Sequence, residues 1–205
     1  MARRNASVAL IDYQAGNLTS VRKGFAAIGV ELYTPALPAE LEGAEAIVVP
    51  GVGHFNATAW LNDEWRAAIR KEVVDGAPLL GICLGLQWLF EGSDEAPELP
   101  GLGLLKGQCF RLPSSVKVPH VGWNSLEITH PAALLDGIPN GTQVYFTHSY
   151  AAPITTESLA GTSHGATFAA AVQGGSTGAI CGVQFHPEKS GEAGLRVLRN
   201  FIGLI

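Results

Sequence analysis

Cysteine is scarce in this sequence: Cys83, Cys109 and Cys181 are the whole complement, and no two are spaced Cys-x-x-Cys. An odd, scattered set supports neither a disulfide framework nor a zinc knuckle, and it fits a reducing cytoplasm. His54, His120, His130 and His164 lack ligand spacing, so no metal is expected, and no other cofactor is indicated. Basic residues are few as well. Thirteen Lys and Arg stand against 18 Asp and Glu, a net charge of −5, with no basic stripe, which argues against a nucleic-acid partner. No apolar run approaches the ~18 residues of a membrane span. The run Val8 to Ile11 behind Arg3 and Arg4 is too short for the core of a signal peptide. Internal repeats, low-complexity tracts and linkers are also missing.

What is present is enough apolar mass for a full core: 205 residues, 47% hydrophobic and 15% charged, expected as one domain over 1–205. Ser7 to Ile11 reads as a strand and Asp12 to Asn17 as a turn. Leu18, Val21, Phe25 and Ile28 recur at helical spacing up to Gly29. Val30–Tyr33 and Glu45–Val49 follow as strands. Leu61, Trp65, Ile69 and Val73 then predict a helix from about Ala57 to Val74, stopped by Gly76. Strands alternating with helices imply a parallel sheet covered on both faces, with active loops at the carboxyl ends of the strands. After Phe90 the texture becomes β-rich. Gly92 to Gly103 reads as a loop, and 104–112, 122–128, 143–146, 166–172 and 179–185 as mixed or antiparallel strands. A last helix is marked by Leu195, Leu198, Phe201 and Ile202. The expected fold is α/β, a single domain with a mixed central sheet flanked by helices.

The chain is organised around Leu79 to Phe90. Leu79–Ile82 reads as a buried strand and Leu84–Phe90 as a helix start, which puts Cys83 at the turn between them with Gly81 and Gly85 two residues to either side. That is the spacing of a nucleophile elbow, where a strained central residue leaves room only for glycines beside it. A helix N-terminus also favours a thiolate. On this stretch alone, a small apolar core residue fits equally well.

A second stretch, Val183-Gln184-Phe185-His186-Pro187-Glu188, ends a strand with an imidazole and a carboxylate two residues apart. Period two turns both toward one face, where Glu188 can orient His186 toward a thiol. Cys83, His186 and Glu188 would then form a base-activated nucleophile. Pro50-Gly51-Val52-Gly53 allows three readings. As a dinucleotide fingerprint it is weak, since the third glycine position holds Asn56. As an anion turn, the N–H groups of Val52, Gly53 and Leu84 could converge on an oxyanion. It could also be a tight turn without chemistry.

Together these pieces resemble the class I glutamine amidotransferase family, in the elbow Gly81-Ile82-Cys83-Leu84-Gly85-Leu86-Gln87, in His186 to Glu188 and in Pro50 to Gly53. Gly16-Asn17-Leu18, Pro119 to Asn124, His148-Ser149-Tyr150 and Glu188-Lys189-Ser190 resemble one subfamily, the glutaminase subunits of imidazole glycerol phosphate synthase. Gln14 stands where that subfamily commonly has Gly, and Leu86 where it often has Met. The resemblance implies a flavodoxin-like fold and hydrolysis of glutamine to glutamate and ammonia. It assigns attack to Cys83, proton transfer to His186, orientation to Glu188 and the oxyanion hole to Val52, Gly53 and Leu84. Gly51, Gln87, Ser149 and Tyr150 would hold glutamine, with His148 positioning that backbone. The implied partner in a heterodimer is a (β/α)8 cyclase making imidazole glycerol phosphate and AICAR, docked over Asn17, Trp123, Asn124 and Lys189. Poor activity of the chain alone, from a misaligned oxyanion turn, is also implied. Two rivals remain: the subunit of anthranilate or aminodeoxychorismate synthase, against which Val-Gly-Trp-Asn and Glu-Lys-Ser argue, and a nucleotide-binding module, against which Cys83, His186 and Glu188 argue.

Overall fold

The computed structural model describes residues 6–205, so Arg3 and Arg4 lie outside the described residues. The first half alternates as expected: β1 (Val8–Leu10), α1 (Leu18–Ala26), β2 (Leu32–Tyr33), β3 (Ala46–Val49), α2 (Asp63–Val74), β4 (Leu79–Ile82) and α3 (Leu84–Leu89). Then come short strands: β5 (Gly92–Ser93), β6 (Gln108–Arg111), β7 (His120–Ser125), β8 (Glu127–Ile128), β9 (Gln143–His148) and β10 (Tyr150–Ala151). The chain ends with β11 (Ser158–Ser163), β12 (Thr167–Gly174), β13 (Ile180–Val183) and α4 (Gly191–Ile202).

Eight strands form one mixed sheet in the order β2-β1-β3-β4-β13-β12-β11-β8. From β2 to β13 neighbours are parallel, and from β13 to β8 they are antiparallel. The parallel strands are apolar at every position because both faces are covered. Val8, Leu10, Val48, Leu80, Ile82 and Val183 pack on one face with Phe25 of α1 and Leu198 and Phe201 of α4. Ala9, Ile47, Val49, Leu79 and Ile180 pack on the other with Ile69 of α2 and Leu86, Trp88 and Leu89 of α3. Each such large apolar side chain stabilises the fold by roughly 1.5–3 kcal/mol.

Three expectations need correction. The helix predicted from about Ala57 is two pieces, a 3-10 turn Phe55–Trp60 and α2 from Asp63. Asn62 separates them: its side chain accepts from Trp65 N at 3.1 Å and so starts a new helix. The strand over 104–112 narrows to β6, and 122–128 is two strands, with β7 reaching back to His120 and joining only β9. β11 was not foreseen. No helix among the described residues is long and apolar enough to cross a membrane.

Candidate active site

Adjacent parallel strands β4 and β13 pair Ile82 with Val183, so the residues that follow each strand leave the sheet side by side. Cys83 N donates to Val183 O at 2.8 Å, which seats the cysteine at the end of the partner strand. Its φ is +53° and it precedes α3 directly, as an elbow requires. A Cβ on Gly81 would stand 2.7 Å from the backbone of Gly85, and one on Gly85 would collide with Val49 O. The two glycines therefore permit the close crossing of β4, α3 and the end of β3.

His186 and Glu188 follow β13. His186 Nδ1 lies 2.8 Å from Glu188 Oε1, and both side chains are 2% exposed. A carboxylate accepts, so Nδ1 carries a hydrogen and Nε2 is the nitrogen left to exchange a proton with a neighbour. Nε2 is buried without a hydrogen-bond partner. The backbone is fixed by His186 N donating to Tyr145 O at 2.9 Å and by Ser190 Oγ donating to His186 O at 2.7 Å. Burial draws the imidazolium toward neutrality, but the Cys83 sulfur and the Glu188 carboxylate outweigh it and raise the group to about 10. The Cys83 thiol itself donates to Thr147 O at 3.8 Å. Burial pushes the Cys109 thiol far up, and the Cys181 thiol to about 12, which keeps both unreactive.

A cavity of about 290 Å³ opens beside Cys83, lined by Gly53, Leu84, Gln87, Ser149 and Tyr150 and also by Glu95, Pro119, Thr147 and His148. Val52 and Gly51 lie outside that lining. Gly51 is buried, and a Cβ there would meet Tyr13 Oη and stand 2.6 Å from Leu84 Cβ. The turn is held at both ends, since Tyr13 Oη donates to Pro50 O at 2.6 Å and Phe55 N donates to Glu95 Oε2 at 2.8 Å. Gln87 Nε2 donates to Tyr150 O at 2.7 Å. Asn17, Trp123, Asn124 and Lys189 lie away from the cavity lining. Asn17 caps α1, accepting from Ser20 N at 3.1 Å. Trp123 is 56% exposed, packs edge-on against Tyr145 at 6.0 Å, and shares that ring with Lys189 Nζ at 5.9 Å. Among the described residues no three His, Cys, Asp or Glu side chains converge to hold a metal ion.

One polar residue was overlooked in the sequence. Gln184 is fully buried, its Oε1 accepts from Gln87 Nε2 and Ala152 N, both at 3.3 Å, and its Nε2 therefore faces Cys83 Sγ at 3.6 Å. The signal was available: Gln184 precedes His186 by two, on the same face of an otherwise apolar strand end.

The arrangement suits a thiol nucleophile served by an oriented imidazole. Residues 9–204 match the family model for glutamine amidotransferase class-I. The chain is 46% identical over 203 residues to the imidazole glycerol phosphate synthase subunit HisH of Moorella thermoacetica, covering 97% of this chain and 95% of that protein. It is 44% identical over 199 residues to the subunit of the same name from Methanothermobacter thermautotrophicus, covering 97% and 98%. A solved glutamine amidotransferase superposes with a TM-score of 0.75 at 22% identity over 97% of this chain and 98% of that one, which speaks for the fold. With the family model spanning nearly every residue from β1 to the end of α4, the chain belongs to the class I glutamine amidotransferases.

Proposed function

We propose that this protein is the glutaminase subunit of imidazole glycerol phosphate synthase, hydrolysing glutamine to glutamate and passing the ammonia to a cyclase subunit. The observation that carries the chemistry is Cys83 at the strained turn beside a buried, Glu188-oriented His186 with a free Nε2. The identities of 40–46% to HisH subunits over nearly the whole chain support the choice of synthase.

In this reading Cys83 Sγ attacks the side-chain amide carbon of glutamine and the C–N bond breaks. His186, raised to about 10 beside the Cys83 sulfur, holds on Nε2 the proton drawn from the thiol and delivers it to the departing ammonia, and water then cleaves the thioester to glutamate. Backbone N–H groups of Val52, Gly53 and Leu84 stabilise the oxyanion; the exposure of Gly53 to the cavity and its positive φ of +98° support a turn that can reorient. Gln87 and the Ser149–Tyr150 backbone hold the amino-acid end, with Gly51 at the turn. Residues 1–205 act as one amidotransferase domain in the cytoplasm. The partner is a (β/α)8 cyclase docking over Asn17, Trp123 and Lys189, a role supported by Trp123 and Val121, 56% and 57% exposed on one face of β7; Asn124, the fourth residue expected there, lies on the opposite face of that strand.

The test is glutamate release by this chain, alone and with a histidine-pathway cyclase and its nucleotide substrate. Stimulation that requires the cyclase and disappears in Cys83→Ala is expected. Release indifferent to the cyclase would reassign the synthase, and no release in either condition would overturn the reading.

A further inference from the structure

Three histidines lie together between the outer face of the molecule and the cavity. His120 of β7 and His148 of β9 are cross-strand partners, and His120 Nδ1 lies 3.2 Å from His148 Nε2. His148 Nδ1 lies 2.9 Å from Tyr150 O, and Asn124 Nδ2 lies 3.3 Å from His120 Nε2. The alternation of β7 places His120 and Asn124 on the face opposite Val121 and Trp123. His164 stacks on His120 at 4.2 Å and 16°, and its own Nε2 is tied to Lys117 O at 2.8 Å.

The direction of every bond in this row is determined. Tyr150 O can only accept, so His148 Nδ1 carries the hydrogen and His148 Nε2 accepts. His120 Nδ1 must then donate, which leaves His120 Nε2 to accept from Asn124. The Asn124 amide is fixed at its other end, because Oδ1 accepts from Ser125 N at 2.9 Å and Nδ2 also donates to Ser163 O at 3.1 Å. The row thus runs one way, from Asn124 through His120 and His148 to the Tyr150 carbonyl, which also receives Gln87. Burial and the neighbouring rings hold His120 down at about 4 and His148 at about 3, so both stay neutral near pH 7–8 and the directions persist.

We infer that His120 and His148 are positioning residues that set the Ser149–Tyr150 backbone, through the Tyr150 carbonyl, for the amino-acid end of glutamine, by a one-way hydrogen-bond row beginning at Asn124. The inference rests on the substrate role of that backbone argued above. It links the strand that carries Trp123 to the glutamine pocket without touching the thiol.

Two variants test it at pH 8. His120→Phe keeps a ring against His164 and Phe146 but removes both bonds. Asn124→Asp presents only acceptors, which reverses the His120 tautomer, then that of His148, and turns a lone pair toward Tyr150 O. Labelling of Cys83 in the full chain is followed with a glutamine chloroketone, which needs the pocket, and with iodoacetamide, which needs only the thiol. Each variant is expected to lose about ten-fold in chloroketone rate, the scale of one lost hydrogen bond, with iodoacetamide unchanged. Chloroketone rates equal to wild type would overturn the row, as would equal losses with both reagents, which would mark general loosening. Wild-type chain that takes iodoacetamide but not the chloroketone at Cys83 would instead remove the glutamine pocket itself, and the proposed function with it.

Discussion

Gln14 holds a φ of +62°, a region that costs a side chain with a Cβ about 1 kcal/mol. Its N–H donates to Asp12 Oδ1 at 2.9 Å, which offsets part of that cost. Replacing Gln14 with Gly is expected to raise stability by up to about 1 kcal/mol, read as a higher urea midpoint with unchanged slope. Gly85→Ala should do the opposite. Its Cβ would collide with Val49 O, so a loss of about 3 kcal/mol or more is expected, read in the same titration. At this scale the site was partly legible. Cys83, Gly81 and Gly85 could be read because an elbow constrains residues close in sequence; His186 and Glu188 do meet, but not by the alternation of an extended chain, since β13 ends at Val183 and Glu188 lies in a 3-10 turn, Pro187–Lys189, capped by His186. Thr147 and Glu95 were not legible, since their meaning depends on which distant residue they meet.

Among the elements, the break before α2 shows how a cap overrides a periodic stripe. Leu61 stays buried as the end of the 3-10 turn, so the apolar pattern runs through a break it cannot reveal. Asn62→Ala should cost about 1 kcal/mol, seen as a drop of roughly 2–4 °C in Tm. β11 escaped for a different reason. Ser158-Leu159-Ala160-Gly161-Thr162-Ser163 is poor in the branched and aromatic residues that mark strands, and it becomes one by pairing with β12 on one side and β8 on the other. The parallel strands were legible because burial on both faces demands unbroken apolar runs.

For the molecule as a whole, the buried histidines bracket a window of stability. His120 and His148 have folded values below the ordinary 6.5, so the stability they contribute is present above 6.5 and is lost as pH falls toward about 4 and about 3. His186 has a folded value raised to about 10, so its contribution is full below 6.5 and is lost as pH rises through about 10. Urea midpoints measured from pH 4 to pH 10.5 should therefore be highest in the middle and decline at both ends. His120→Phe should flatten the acid side only.

The pairing of β4 with β13 brings together residues about a hundred positions apart, as the Gln184–Cys83 contact shows. Such contacts form late, after a large loop has closed. During synthesis Cys83 leaves the ribosome long before His186. On the proposed mechanism the thiol meets its base only when β13 slots in beside β4, at the centre of the sheet, so a prematurely terminated chain would have no competent nucleophile to misdirect.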